Sequence, residues 1–83
     1  MAMRVRISVL LKPGILDPQG KAVEHSLHEL GLPAKDVRIG KLIELQLPAS
    51  TVEEAENMAQ KLCHQLLVNP VMEQARIEVL PCG

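Results

Sequence analysis

Residues 4–20 read RVRISVLLKPGILDPQG and contain the signals for a strand, a turn and the start of a helix. Apolar side chains recur at every second position from Val5 to Leu11, which is the period of a strand with one buried face. Lys12-Pro13-Gly14 ends this strand, because proline cannot donate to a sheet and glycine permits a turn. Asp17 followed by Pro18 is typical of a helix N-cap and first helical position. The stretch therefore predicts a strand over Arg4–Leu11 and a helix from Pro18.

The next elements follow from similar signals. The helix is expected to run to about Leu30, with Gly31 as its C-cap. Val37–Leu47 is predicted to be one strand, with Gly40 as the position where it can bend, because its apolar residues share one parity. A hairpin at Gly40-Lys41 is the alternative, but its two-residue loop would divide those apolar residues between opposite faces.

The rest of the chain predicts a second helix and a short last strand. Thr51 and Glu54 have the spacing of a capping box, and Asn69-Pro70 ends the element. Arg76–Leu80 is the predicted strand. The apolar stripe expected on the second helix contains Ala55, Met58, Ala59, Leu62 and Leu66.

These elements predict one α+β domain over residues 1–83, with the order β-α-β-α-β and a three-stranded sheet that has two helices on one face. The opposite face would then be bare. We expect that face, or an unpaired strand edge, to contact a second copy of the chain, because unpaired edges attract other strands. The bare face would present Arg4, Arg6, Ser8, Leu10, Arg38, Leu42, Glu44, Gln46, Arg76, Glu78 and Leu80.

Composition supports assembly and argues against nucleic-acid or membrane partners. An 83-residue chain buries only roughly 60–65% of its unfolded surface, so stability is marginal without help. The chain has no Phe, Trp or Tyr and a net charge of -1, whereas nucleic-acid sites rely on stacking and basic surfaces. We expect neither a secretory signal nor a membrane span, because Arg4 and Arg6 interrupt the first apolar run and no apolar run reaches the length of a span. Cys63 and Cys82 are therefore expected to be free thiols in the cytoplasm.

No group of residues predicts catalysis or a metal site. The apolar stripe expected on the first helix contains Val23, Leu27 and Leu30. His25 and His28 lie roughly opposite this stripe, so both are expected to face solvent. Cys63 and His64 are adjacent and point about 100° apart on a helix, which is poor geometry for a nucleophile and its base. Lys41 is the unusual residue, because it shares the apolar face of its strand. It either extends past the core to water or marks a contact with a partner or an anion.

Three stretches together resemble the PurS family, the small subunit of phosphoribosylformylglycinamidine synthase. They are LLKPGILDPQGKAV at 10–23, VRIGKLIEL at 37–45 and LLVNPVME at 66–73 with RIEV at 76–79. The resemblance covers nearly the whole chain. It implies functional importance for Leu16, Asp17, Pro18, Gln19 and Gly20 in the first stretch and for Arg38, Gly40 and Lys41 in the second, either as partner contacts or as residues that shape the fold.

The resemblance also implies a role in the fourth step of purine biosynthesis. In that step a complex that uses ATP, Mg and glutamine converts formylglycinamide ribonucleotide to the amidine. A PurQ-type glutaminase and a PurL-type synthetase carry the chemistry, and PurS dimers or tetramers bridge them and help ammonia to pass. This chain is then expected to be a non-catalytic subunit that binds no cofactor.

A different class of function is a small regulatory module resembling the ACT domains, which bind an amino acid at a dimer interface. Those domains normally have a fourth strand. The pattern here provides a fourth strand only if Val37–Leu47 divides into two. Binding of an amino acid to the isolated chain would favour the regulatory module.

Overall fold

The computed structural model describes residues 2–81 and has the predicted order β-α-β-α-β, which confirms the α+β class. The predicted thiol at Cys82 lies outside the described residues, whereas Cys63 is a free, buried thiol. The elements are β1 (Met3–Leu11), α1 (Pro18–Glu29), β2 (Lys41–Leu47), α2 (Val52–Leu62), a π-helical segment (Cys63–Leu67) and β3 (Glu73–Pro81).

The three strands form an antiparallel sheet in the order β2-β1-β3, with β1 in the centre. Val5 lies opposite Leu45 and Val79 in the two neighbouring strands, so the odd-numbered apolar residues of all three strands share one face. Val5 and Ile7 are 0% exposed. Each fully buried side chain of this kind contributes about 1.5–3 kcal/mol to folding. β3 begins at Glu73, three residues before the predicted start at Arg76.

The second helix, α2, covers this apolar face. Ala55 and Ala59 are fully buried, and their small side chains let the helix approach β1 and β3 closely. Thr51 caps the helix as predicted, because its hydroxyl oxygen accepts a hydrogen bond from the backbone N–H of Glu54 at 3.1 Å. The Glu54 carboxylate in return accepts from the backbone N–H of Ser50 at 3.0 Å.

The π-helical segment contradicts the predicted position of Leu66 on the buried stripe. The backbone N–H of Val68 donates to the carbonyl of Cys63, five residues earlier, at 3.0 Å. This wider turn advances the buried face by one residue relative to an α-helix. Leu66 is therefore 80% exposed, whereas Leu67 packs against the core.

The prediction that both helices cover one face of the sheet is wrong for α1. The only buried residue of α1 is Gly20, and no packing comparable to that of α2 joins it to a strand. The returning segment 32–39 contacts the side of α1 that carries Gly20, Glu24 and His28. The molecule is consequently elongated, with extents of 49 × 29 × 14 Å and a radius of gyration of 16.0 Å. A compact chain of this length would have a radius of about 12 Å.

β2 begins at Lys41, so the predicted strand over Val37–Leu47 is four residues too long. The Val37 and Ile39 amides donate to the Glu24 and Asp17 side chains instead of to β1. The parity argument against a hairpin at Gly40 is confirmed, because Ile43, Leu45 and Leu47 all lie opposite odd-numbered residues of β1.

Candidate functional site

The structure brings the two motifs of the resemblance together through the carboxylate of Asp17. Its Oδ1 accepts a hydrogen bond from the backbone N–H of Gly20 at 2.8 Å, which is the predicted N-cap of α1. Its Oδ2 accepts from the backbone N–H of Ile39, also at 2.8 Å. One side chain thus joins the start of α1 to the segment that leads into β2. We call this arrangement the Asp17 clamp.

The clamp changes the acidity of Asp17. Hydrogen bonds from the backbone amides of Gly20 and then Ile39 hold the pKa of this carboxyl below its ordinary value of 3.8, because they favour the charged form. The positive charge of Arg38 acts in the same direction. The clamp is therefore formed by a carboxylate at neutral pH.

Two glycines permit the close packing around the clamp. A Cβ atom on Gly20 would lie 2.2 Å from the carbonyl oxygen of Val37. A Cβ atom on Gly40 would lie 2.1 Å from the carbonyl oxygen of Val9. In both places backbone meets backbone, and only glycine leaves the necessary space. The close approach at Gly40 is where the chain passes from the clamp onto the sheet.

Open cavities lie on the two sides of the clamp. A cavity of about 400 Å³ separates the β1–α1 loop from residues 36–38, and Leu16 and Arg38 line it together with Asp17. A second cavity of about 320 Å³ lies between the start of α1 and the end of the sheet. Its lining includes Asp17, Pro18, Gln19, Gly40 and Lys41. Seven of the eight residues singled out by the resemblance therefore line one of two adjacent cavities, and Gly20 packs beneath them.

Lys41 forms an ion pair with Glu73 at the end of the apolar face of the sheet. Its Nζ lies 3.9 Å from a carboxylate oxygen of Glu73, and its side chain is 57% exposed. Lys41 and Glu73 lie on the outer strands, opposite Val9 and Leu11 of β1. An exposed ion pair of this kind contributes little to stability. The pair leaves the lysine accessible at the rim of the smaller cavity.

Three charged residues near the motifs were missed from the sequence. Glu24 accepts a hydrogen bond from the backbone N–H of Val37 at 3.3 Å, beside the clamp. Glu73 pairs with Lys41, as described above. Lys12 donates from Nζ to the carbonyl of Pro70 at 2.6 Å and so fixes the β1–α1 loop against the chain before β3. The signal available for Glu24 was its position one turn after Gly20, on the same side of α1.

The two histidines of α1 and the thiol of Cys63 lie in different elements of the structure. His25 pairs with Glu29 at 3.1 Å on the exposed side of α1, and His28 contacts the carbonyl of Ala34 at 2.6 Å. Burial raises the pKa of the Cys63 thiol above 9.0 and so disfavours the reactive thiolate. Within residues 2–81, no three His, Cys, Asp or Glu side chains are placed to hold a metal ion.

None of the helices in the described part of the chain has the length and apolar character required to cross a bilayer.

Comparison with known proteins identifies the family. The family model PurS, described as phosphoribosylformylglycinamidine (FGAM) synthase, matches residues 4–81. Phosphoribosylformylglycinamidine synthase subunit PurS of Bacillus subtilis is 42% identical over 77 residues, which are 92% of this chain and 90% of the relative. The crystal structure of the Thermotoga maritima purS subunit superposes with a TM-score of 0.89 at 37% identity and covers 96% of this chain and 93% of that one. A chain in the structure of PurLQS from the same organism has a TM-score of 0.88 at 37% identity, over 96% of this chain and 99% of that chain. The chain belongs to the PurS family.

Proposed function

We propose that this chain is the PurS subunit of a phosphoribosylformylglycinamidine synthase complex and that it assembles with a PurL-type synthetase and a PurQ-type glutaminase. The observation that carries the proposal is the match to a chain of the T. maritima PurLQS structure over nearly the full length of both chains. The complex is a ligase of purine biosynthesis that converts formylglycinamide ribonucleotide to the amidine, and the chain acts as one of its subunits.

Within that complex the chain is a non-catalytic bridge between the two larger subunits and supports the passage of ammonia. This role is supported by the chemistry of the described residues. His25 and His28 contact other groups on and after α1, and the thiol of Cys63 is buried with a raised pKa, which disfavours the nucleophilic thiolate. Self-association of the chain as a dimer or tetramer belongs to the same proposal, since one face of its sheet has no cover of its own.

The Asp17 clamp and its two cavities form the surface that we assign to partner contact. Leu16, Asp17, Pro18, Gln19, Gly20, Arg38, Gly40 and Lys41 are the residues concerned. Leu16 supports the assignment best, because this large apolar side chain is 70% exposed beside the clamp. Asp17, Gly20 and Gly40 act within the chain by holding that surface in shape.

ATP, Mg and glutamine are the cofactors and co-substrates of the proposed complex, and we place them on the partner subunits. Mg²⁺ requires several oxygen ligands in octahedral geometry. The carboxylates of residues 2–81 do not gather into such a set. No reaction step is therefore assigned to a group on this chain. The complex is placed in the cytoplasm with the rest of the proposal.

The test is reconstitution of the three subunits with two nitrogen donors. Activity is measured with glutamine and, separately, with an ammonium salt, each with and without this chain. We expect omission of the chain to lower the glutamine-dependent rate more than the ammonia-dependent rate. Equal rates with and without the chain, for both donors, would contradict the proposal.

The regulatory alternative is tested on the isolated chain. An ACT-like module normally has four strands, whereas the sheet of residues 2–81 has three. Calorimetric titration with amino acids distinguishes the two functions, because saturable binding would favour the module and its absence agrees with the bridging subunit.

A further inference from the structure

The larger cavity beside the Asp17 clamp, of about 400 Å³, has basic side chains in its wall that lack an acidic partner. Lys12, Lys21 and Arg38 line it. Lys12 is engaged, because its Nζ donates to the carbonyl of Pro70 at 2.6 Å. Lys21 and Arg38 are exposed, and neither forms an ion pair or donates a side-chain hydrogen bond to any residue of the described range 2–81. One ammonium group and one guanidinium group are therefore available at this cavity.

The acidic side chains of the same cavity do not neutralise these two cations. Both carboxylate oxygens of Asp17 accept hydrogen bonds from the two backbone amides of the clamp. Glu24 accepts from the backbone N–H of Val37 at 3.3 Å. The backbone thus holds both carboxylates in place. Asp36 is exposed and forms no ion pair with a described residue, so it is the one acidic side chain here that is not engaged.

A large apolar side chain lies beside the two cations. Leu16 lines the cavity and is 70% exposed. Its loop is fixed on both sides, by the hydrogen bond of Lys12 before it and by the carboxylate of Asp17 immediately after it. A side chain on a backbone that is already ordered loses less entropy when it is covered. The cavity therefore offers an apolar contact and cationic donors side by side, both on a fixed backbone.

We propose that this cavity receives an acidic segment of one of the two larger subunits, with a carboxylate bound by Arg38 and Lys21 and an adjoining apolar side chain against Leu16. The inference rests on the proposed function and adds the chemistry of the partner segment. The planar guanidinium of Arg38 donates two parallel hydrogen bonds to one carboxylate, which fixes the orientation of the contact. The ammonium group of Lys21 adds attraction without a fixed geometry.

The charges of the cavity favour one carboxylate over a free phosphate or a nucleotide. Its wall contains three basic side chains and three acidic ones, so it has no net charge. A multiply charged anion would be repelled by the carboxylate of Asp36, whereas a single carboxylate is compensated by Arg38 and Lys21. A free anion would also leave Leu16 uncovered. A protein segment with an acidic and an apolar side chain satisfies both features.

Charge reversal in the reconstituted complex tests the proposal. The chain is titrated into fixed amounts of the PurL-type and PurQ-type subunits, and the concentration that gives half-maximal glutamine-dependent activity is measured. We expect Arg38→Glu to raise this concentration at least about tenfold and Lys21→Glu to raise it about threefold. The matched control is Lys61→Glu, which makes the same change of charge at an exposed lysine of α2. We expect this control to stay within about twofold of the wild type.

A neutral variant separates docking from folding. Arg38→Gln removes the charge without placing a second carboxylate beside Asp17, so it should fold as the wild type does and unfold at the same urea concentration. We expect it still to raise the half-maximal concentration about fivefold. Added salt should weaken assembly of the wild type more than assembly of this variant, because salt screens the ion pair that only the wild type forms.

The other occupants of the cavity have outcomes of their own. Equal half-maximal concentrations for Arg38→Glu, Arg38→Gln and Lys61→Glu would overturn the acidic segment while the bridging function stands. Saturable calorimetric binding of pyrophosphate to the isolated chain, lost in Arg38→Gln, would assign the cavity to a free phosphate instead. Weaker self-association of Arg38→Gln in sedimentation, with an unchanged half-maximal concentration, would assign it to a second copy. Activity that does not depend on the chain at all overturns the proposed function and the partner segment together.

Discussion

Asp17 shows how a single side chain organises the candidate site. Its carboxylate joins two segments that are 22 residues apart, and its lowered pKa reports how strongly the two backbone amides favour the charged form. A depressed pKa in the folded state means that the unfolded chain binds protons more readily. The contribution to stability is therefore present above pH 3.8 and is lost as the pH falls through the folded value.

We expect Asp17→Asn to be less stable than the wild type at neutral pH, because the amide lacks the charge that the two N–H donors favour. The difference should shrink as the pH falls below 3.8, where the wild-type carboxyl becomes protonated. Urea unfolding across this pH range measures it. Asp36→Asn, at a carboxylate outside the clamp, is the control. A stability difference that stays constant with pH would show that the charge of Asp17 is unimportant.

A second prediction at the scale of the residue concerns Gly40. Gly40→Ala would place a methyl group 2.1 Å from the carbonyl oxygen of Val9, so the backbone must move. We expect a loss of about 1–3 kcal/mol in the free energy of unfolding, which is typical of overpacking. Gln46→Ala, at an exposed position of the following strand β2, should change stability by no more than about 0.5 kcal/mol. Equal effects in chemical denaturation would mean that the backbone gives way at little cost.

Among the elements, β1 and the start of α1 could be predicted from sequence because their signals are local. The apolar alternation from Val5 to Leu11 and the pair Asp17-Pro18 are recognised without knowledge of distant residues. The extent of β2 could not be predicted in this way. Apolar parity shows which side of a strand is buried, but it does not show that the amides of Val37 and Ile39 donate to side chains instead of to β1.

The end of α2 could not be predicted for a related reason. Helical spacing assumes 3.6 residues per turn, and the wider π turn after Leu62 replaces Leu66 with Leu67 on the buried side. The candidate site, likewise, could be predicted only in part. Resemblance indicated its eight residues, whereas the contact between its two halves and the part played by Glu24 depend on tertiary structure.

The π-helical segment makes a prediction that separates the two neighbouring leucines. Leu67 packs against the core and Leu66 is 80% exposed. We expect Leu67→Ala to lower the free energy of unfolding by about 2 kcal/mol, because it removes apolar contacts from a partly buried site. Leu66→Ala should cost less than about 0.5 kcal/mol. Guanidinium unfolding of both variants is sufficient, and a larger loss at Leu66 would show that the helix continues with α-helical spacing.

At the scale of the whole molecule, the elongated shape and the small core both indicate that the chain is stabilised by contact with other surfaces. The radius of gyration of 16.0 Å exceeds the value of about 12 Å expected for a compact chain of this length. The excess comes from α1 and its returning segment, which extend beyond the sheet. Large apolar side chains of this extension, such as Leu30 at 74%, are exposed. A chain built in this way gains stability when other surfaces cover it.

This dependence predicts that thermal stability varies with protein concentration. If folding is coupled to association, a higher concentration favours the assembled folded state by mass action, so the midpoint of unfolding rises. We expect calorimetric scans over a hundredfold range of concentration, about 2.7 kcal/mol in association free energy, to show a steady increase in Tm. A Tm that is independent of concentration in the wild type would mean that the small aliphatic core stabilises the chain without a second copy.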